Sequence, residues 1–186
     1  MTRKCAVRPA TQCLLLACLS SFTASWAISA PPKLDHLFPA GVQRGQTVEV
    51  TAGGTFDQWP VSVWVDRAGV DVAVEEKKGQ LSITIDGAVK GALCWLRLHN
   101  DEGASRLLPL VVGALPETLE IEPNNSHTKP QRLQQSTLIN GKLAERGDVD
   151  TFSFELKQGQ TLVASIQAHE VLGSPMDSVL QIVSSS

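Results

Sequence analysis

Six oxygen-bearing side chains in two short segments are the residues of this sequence best suited to chemistry. They are Glu120, Glu122, Asn124, Asn125, Asp148 and Asp150. The two glutamates lie two positions apart, so in an extended chain both carboxylates face the same side. The proline that follows them stops ladder pairing, and the two asparagines after it favour a turn. The two aspartates repeat the same spacing just before an apolar segment.

Such a set of donors predicts a site for a hard cation. If the aspartate segment lies beside the glutamate segment, six oxygen donors converge, and oxygen-rich, flexible sites of this size suit Ca²⁺. A weak extracellular site with a Kd of roughly 10⁻⁴–10⁻³ M would suffice outside the cell. The sequence has no Cys or His pair at the spacing of a zinc site. The same residues also fit a solvated acidic turn with Asn caps, and both interpretations stay open here.

Catalytic motifs are missing from the sequence, so we predict that the chain is not an enzyme. It contains no G-x-S-x-G, no H-E-x-x-H and no Gly-rich phosphate loop. Its four histidines are scattered along the chain. Cys94 lies in the apolar run LCWLRL, which favours a small buried hydrophobic residue over a reactive thiol.

The elements that must position these residues are predicted to be β-strands throughout. Runs rich in Val, Ile, Thr and Leu alternate with polar residues and are divided by Gly, Pro, Asn and Asp, which is typical of β-sandwiches. No stretch shows sustained helical periodicity. The predicted strands are 47–52, 61–66, 70–74, 81–85, 93–98, 107–112, 138–143, 151–156, 161–168 and 179–183. Phe56 and Trp95 are expected in the core. Trp59 and Trp64 are expected on a solvent-facing side, as edge or linker-packing residues or as a small ligand patch.

The first thirty residues have the layout of a secretory signal peptide. A basic start precedes an apolar run from Cys13 to Ala27, which is shorter than a membrane-spanning helix requires. Cleavage is predicted after Ala27 or Ala30. A second interpretation is lipid anchoring at Cys18, because Leu15–Cys18 resembles a lipobox. The predicted location is therefore secreted, periplasmic or cell-surface, with no transmembrane segment.

Composition excludes some partners. The whole chain has 16 basic and 19 acidic residues, a net charge of −3, and the predicted leader removes only basic ones. A net negative chain argues against nucleic acid, whose phosphates are bound by Lys and Arg. Tyr is absent and aromatic residues make up 5% of the chain, so a broad aromatic platform for sugars or bases is hard to build.

The segment LFPAGVQRGQTVEVTAGGTF, from Leu37 to Phe56, resembles the opening of an immunoglobulin-like domain of the IPT/TIG type. The pieces that carry the resemblance are Pro39, Gly45, Val48, Val50, Gly53 or Gly54, and Phe56. The resemblance implies a β-sandwich that acts as a spacer or interaction module, without catalytic residues.

The later segments resemble the pre-peptidase C-terminal (PPC) domain of secreted bacterial proteins. The pieces that carry this resemblance are Glu122-Pro123-Asn124, Gly141, Asp148, Asp150, Phe152, Gly159 and Asp177–Leu180. It implies a sandwich of jelly-roll type. Some PPC-like collagen-binding modules bind calcium at the corresponding acidic segment, which again implicates the six residues named first. Such domains have further strands after the last piece, so this one is expected to be a partial domain that needs more strands or a neighbouring domain.

Together these observations predict an all-β chain of two small β-sandwich domains after a signal peptide. The predicted divisions are 1–30, the leader; 34–114, the Ig-like sandwich; 115–119, a linker; and 120–186, the N-terminal part of a PPC-like sandwich. The predicted function is a secreted, non-catalytic accessory, binding or adhesion module for an extracellular polymer or a cell-surface protein, with Ca²⁺ as its candidate stabilising ion. Alternatives are the N-terminal part of a secreted hydrolase or peptidase, and a passive spacer.

Overall fold

The computed structural model describes residues 30–184. The predicted signal peptide and the candidate lipid-anchor residue Cys18 lie outside these residues, except for Ala30, one of the two predicted cleavage positions. Within the described range the chain is almost entirely β, with one helix of four residues. The predicted all-β fold class is confirmed.

Nine strands between residues 33 and 113 form two sheets. They are β1 (Lys33–Phe38), β2 (Gly41–Gln43), β3 (Thr47–Thr55), β4 (Ser62–Val65), β5 (Val70–Val74), β6 (Gln80–Ile85), β7 (Leu93–Asn100), β8 (Gly103–Ala104) and β9 (Leu108–Gly113). One sheet has the order β1-β3-β6-β5 and is antiparallel. The other has the order β2-β9-β7-β4, with β8 paired to β7. Its β2–β9 pair is parallel.

The core of this sandwich lies between the two sheets and follows from the alternation of the strands. Val50, Leu81, Ile83, Leu96, Leu98 and Leu110 are completely buried. All but Leu110, which lies between Pro109 and Val111 on β9, have polar or exposed neighbours along the strand, because successive side chains point to opposite faces of a sheet. The six predicted strands of this region are confirmed, with their ends shifted by at most three residues.

Two of the aromatic residues, Trp95 and Trp59, lie on the opposite side from the one predicted. Phe56 is buried as predicted, and its ring centroid lies 5.4 Å from that of Trp59. Trp95, predicted in the core, is 38% exposed because Cys94 and Leu96 on either side of it point inward. Trp59, predicted to face solvent, is partly buried against the core, and its Nε1 donates to the carbonyl of Glu75 at 2.7 Å.

Cys94 is a buried, free thiol. Burial raises its pKa to about 11, with a further contribution from the neighbouring carboxylate of Asp66. A thiol with such a pKa carries almost no thiolate at neutral pH, which agrees with a packing role.

Residues 117–184 contain much less regular structure. Their strands are β10 (Glu117–Leu119), β11 (Gln131–Arg132), β12 (Leu138–Asn140) and β13 (Phe152–Ser153), and the helix is α1 (His169–Leu172). β10 pairs with β12, and β11 pairs with β13, both in parallel. α1 packs against β9 of the sandwich.

Two predicted strands, 161–168 and 179–183, are not strands in the structure. A strand exists only where a neighbour accepts its backbone hydrogen bonds, and within residues 30–184 neither segment has one. Their apolar side chains stay largely in water: Val163 is 87% exposed and Val179 is 80% exposed. Both segments have a composition that favours β-strands, but composition alone does not supply a strand to pair with.

Hydrogen bonds made by one buried side chain, that of Asn140, join the C-terminal region to the sandwich. Asn140 at the end of β12 accepts hydrogen bonds at Oδ1 from the backbone N–H groups of Ala40 and Gly41, both at 3.2 Å. Its Nδ2 donates to Glu117 Oε2 at 2.9 Å. Burial raises the pKa of the Glu117 carboxyl, and the Asn140 bond opposes this. Three of the five residues predicted as a loose linker therefore form strand β10.

Candidate metal centre

Short parallel ladders hold the backbone that carries the two glutamates. The amide N–H of Glu120, just after β10, donates to the carbonyl of Asn140 at 3.0 Å. The side chain of Gln131 in β11 binds the next stretch: its Oε1 accepts from Ile121 N at 2.9 Å, and its Nε2 donates to the carbonyl of Leu119 at 3.1 Å. The glutamate segment is thus fixed between β12 and β11.

Three carboxylates converge next to these ladders. Glu120, Glu122 and Asp150 each offer an oxygen, and these oxygens all lie within 4.8 Å of one another. Asp150 reaches the site because it lies two residues before β13, whose parallel partner β11 is tied to the glutamate segment. No Lys or Arg forms an ion pair with this cluster within residues 30–184.

Asn124 connects the cluster from inside and is only 1% exposed. Its backbone N–H donates to Glu122 Oε2 at 3.0 Å, and its Nδ2 donates to Glu120 Oε1 at 2.8 Å. Its backbone carbonyl accepts a hydrogen bond from the backbone N–H of Thr151 at 3.1 Å. The remaining polar atom of the side chain, Oδ1, is buried without a hydrogen-bond partner in the described chain, and so is Asp150 Oδ1.

The carboxylates of the cluster lie close together and partly out of water, and this shifts the pKa of Asp150. Burial raises the pKa of Asp150 to about 6, and the charge of Glu120 adds to this, followed by Asp148 and Glu122. Asp150 is still mostly ionised at neutral pH, where the neighbouring carboxylates repel its charge. A divalent cation would relieve that repulsion.

The other two residues of the predicted set form a separate pair. Asn125 Nδ2 donates to Asp148 Oδ1 at 3.0 Å. Asp148 Oδ2 accepts from the backbone N–H of Ala144 at 2.6 Å. Asp148 and Asn125 therefore close the 144–148 turn, and Asp148 is not among the carboxylates whose oxygens converge within 4.8 Å. Four of the six predicted residues therefore come together, and two support the turn beside them.

Sequence reasoning missed the structural role of the glycine and lysine after β12. A side chain at Gly141 would place its Cβ 2.9 Å from Glu120 Oε2. The backbone N–H of Lys142 donates to the same oxygen at 2.9 Å. Gly141 therefore leaves room for the Glu120 carboxylate to approach the backbone. The signal in the sequence was the glycine itself, which the PPC resemblance includes without giving a reason.

The donor set fits a hard cation. It offers three carboxylates, the buried Asn124 beside them has an amide oxygen without a hydrogen-bond partner, and water would complete the six to eight oxygen ligands that Ca²⁺ takes. Two buried oxygens without hydrogen-bond partners are unusual for a purely solvated turn, because buried polar atoms are nearly always satisfied. Smaller Mg²⁺ requires near-ideal octahedral geometry, which a set drawn from two loops does not favour.

Comparison with known proteins adds little to this geometry. No protein-family model matches the chain, and no curated protein matches it. Among solved structures, a chimeric titin Z1Z2 functionalized with an exogenous KLER peptide from decorin is similar at 21% identity. The match covers 46% of this chain and 96% of that chain, with a TM-score of 0.31. A likeness at this level carries no argument about function. In the described range no helix is long and apolar enough to cross a membrane.

Proposed function

We propose that this chain is a secreted, non-catalytic accessory or adhesion module whose C-terminal region is stabilised by Ca²⁺ at Glu120, Glu122, Asn124 and Asp150. The observation that carries the calcium site is the convergence of three carboxylates around a buried Asn with an unsatisfied oxygen. The IPT/TIG-like and PPC-like resemblances belong to the same proposal. They are supported by the Leu37–Phe56 segment and by the glutamate, Gly141 and aspartate pieces.

The role of calcium in this proposal is to fix the start of the C-terminal region. The cluster joins residues next to β10, β11 and β13, and few apolar contacts hold these elements together. Neutralising the mutual repulsion of the carboxylates would hold the three elements in place. Binding is expected to be weak, with a Kd of roughly 10⁻⁴–10⁻³ M, which is enough at extracellular calcium levels.

Calorimetric titration of the whole chain with CaCl₂ tests the site, alongside thermal unfolding in EGTA and in 5–10 mM calcium, about tenfold above the expected Kd. The wild type is expected to show saturable heat and a higher melting temperature with calcium. Asp150→Asn is expected to lose both effects. Asp71→Asn, which removes the same charge from exposed β5, is the matched control and should behave as the wild type.

Three results would contradict the calcium site. One is the absence of heat and of any melting shift at millimolar calcium. Another is an equal response of Asp150→Asn and the wild type. The third is an equal loss in Asp71→Asn, which would indicate a diffuse effect of net charge rather than a site.

Secretion is tested by the N-terminus of the protein recovered outside the cytoplasm. Cleavage after Ala27 exposes Ile28, and cleavage after Ala30 exposes Pro31. An acylated Cys18 at the N-terminus would instead show a lipid anchor. An intact Met1 on protein that stays in the cytoplasm would contradict the proposal.

A further inference from the structure

The outer face of the five-stranded sheet has an exposed patch of aromatic and basic side chains that shares no residue with the carboxylate cluster. Trp95, Arg97 and His99 alternate along β7 with buried residues, so they point away from the core. Trp64 of β4 lies directly opposite Arg97 in the antiparallel pair. Trp64 is 45% exposed and Trp95 is 38% exposed. We call these four residues the β7 patch.

Arg97 is the residue of the β7 patch that points to a ligand. Its guanidinium lies over the Trp64 ring, 5.5 Å from the centroid. Across residues 30–184 it forms no ion pair, and its Nε is buried without a hydrogen-bond partner. By contrast, Arg67 is paired with Asp66, and Arg106 donates to two backbone carbonyls. Stacking uses the face of a guanidinium and leaves its in-plane N–H groups as a fork for a carboxylate.

The charges around the patch favour an anionic ligand. The nearest acid along β4, Asp66, is engaged by the Arg67 guanidinium and by the backbone N–H of Trp95 at 3.1 Å. Its charge is therefore already matched. Among residues 30–184, the side chain of Arg97 remains a cation without an ion pair, and it lies over the Trp64 ring.

The shape of the patch favours a saccharide over a peptide. Trp64, Arg97, His99 and Ala104 line a shallow, open depression of about 310 Å³. Peptides that bind sheets obtain main-chain hydrogen bonds from a free strand edge. β7, which carries three of the four patch residues, is paired with β4 and with β9, so main-chain hydrogen bonds to a ligand are confined to the outer edge of β4. On the face of the sheet, recognition depends on side chains alone: flat rings and a planar cation.

We propose that the β7 patch binds a saccharide that contains a uronic acid. The carboxylate of the sugar accepts the paired N–H groups of Arg97, and the apolar face of the pyranose ring packs on the exposed indole surface of Trp64 and Trp95. This commits the general proposal of an extracellular polymer partner to one chemical class. It uses none of the calcium-site residues, so either proposal can fail without the other.

The test is titration of the whole chain with trigalacturonate, followed by calorimetry and tryptophan fluorescence. EDTA is present throughout, because calcium cross-links uronates and would mix this effect with the calcium site. Saturable binding is expected, with no response to the neutral trisaccharide maltotriose. Arg97→Gln should weaken binding about tenfold or more, because a charge-assisted, two-point hydrogen bond is lost.

Three further variants separate a site from general charge. Arg97→Lys keeps the charge but loses the fork, so its affinity should lie between those of the wild type and Arg97→Gln. Trp64→Ala should weaken binding while the melting temperature stays close to that of the wild type, since the ring is on the surface. Lys78→Gln, in an exposed hairpin turn of the same sandwich, removes one charge elsewhere and should leave affinity unchanged.

Several outcomes would overturn the inference. One is the lack of saturation up to about 10 mM trigalacturonate. Equal binding of maltotriose would remove the role of the carboxylate, and an equal loss in Lys78→Gln would indicate non-specific attraction. Binding of triglutamate that matches trigalacturonate in affinity and is also lost in Arg97→Gln would assign the patch to acidic peptides instead.

Discussion

Two aspartates show how the partner of a carboxyl group decides its titration. The guanidinium of Arg67 holds the pKa of Asp66 at about 2, mainly through the hydrogen bonds it donates. Asp150 has carboxylates instead of a cation around it, and burial together with Glu120 raises its pKa to about 6. The charge of Asp66 is already balanced by Arg67, whereas the charge of Asp150 would be balanced only by a bound cation.

The Asp66 pair predicts a specific acid dependence of stability. A carboxyl whose pKa is lower in the folded state stabilises the fold at pH values above about 4, and this contribution is lost as the pH falls towards about 2. Asp66→Asn should therefore be less stable than the wild type at neutral pH, with the difference shrinking across that window. Urea unfolding at a series of pH values measures it. If the free energies of unfolding of the two proteins change in parallel with pH, the pair contributes nothing to folding. Asp71→Asn, which removes an aspartate without an Arg partner, is the control.

At the scale of elements, the sandwich is specified by the inward-facing residues of its strands. Ile83 on β6 is completely buried, and Ser82 beside it faces outward. Ile83→Ala is expected to lower the free energy of unfolding by about 2–5 kcal/mol, because it removes buried methyl groups and leaves a cavity. Ser82→Ala should change it by less than about 0.5 kcal/mol. Chemical denaturation of both variants checks the difference, and similar values would contradict the assigned faces of β6.

The side chain of Asn140 connects β12 to the sandwich. Asn140→Ala removes the acceptor of the Ala40 and Gly41 amides and the donor to Glu117, which leaves buried polar groups unsatisfied. We expect a loss of about 1–3 kcal/mol. Gln135→Ala, in an exposed loop before β12, should have no measurable effect. If the two variants unfold alike, the junction seen here does not contribute to stability.

The whole molecule has two regions of unequal order. The buried apolar residues lie almost entirely between Leu34 and Val112, with Ala168 the one buried apolar residue after them in the described chain. Residues 117–184 have short ladders and many exposed apolar side chains. Local stability follows buried contacts and paired backbone groups, so the two regions should open with different free energies.

Amide hydrogen exchange measures this difference directly. The central strands β3, β6 and β7 should show the slowest exchange, and amides from 156 to 168 and from 174 to 184 the fastest. Calcium should slow exchange near Glu120–Asn124 and Asp150–Thr151 and leave the sandwich strands unchanged. Uniform protection across the chain would contradict this division.

The strands that could be predicted are those whose pattern of buried and exposed residues lies within the strand's own sequence. Six of the nine strands of the sandwich were found because a buried face imposes period-2 alternation on each strand separately. β2, β8, β10 and β11 were missed because they are two or three residues long and exist through their partners. β1 was missed because a register shift between Leu34 and His36 interrupts its alternation. Trp95 was misplaced because size and apolarity suggested the core, whereas its register on β7 places it outside.

The sequence by itself determined the all-β character, the positions of six of the nine strands in the first region, and the acidic chemistry of the two short segments, because residue type and spacing express these properties directly. Only the tertiary structure decided which donors meet. Parallel pairing of β11 with β13 brings Asp150 to the glutamates, and the hydrogen bonds of the 144–148 turn engage Asp148 with Asn125 instead. The unpaired Arg97 over Trp64 was equally invisible in the sequence, since a cross-strand neighbour is set by register between distant segments.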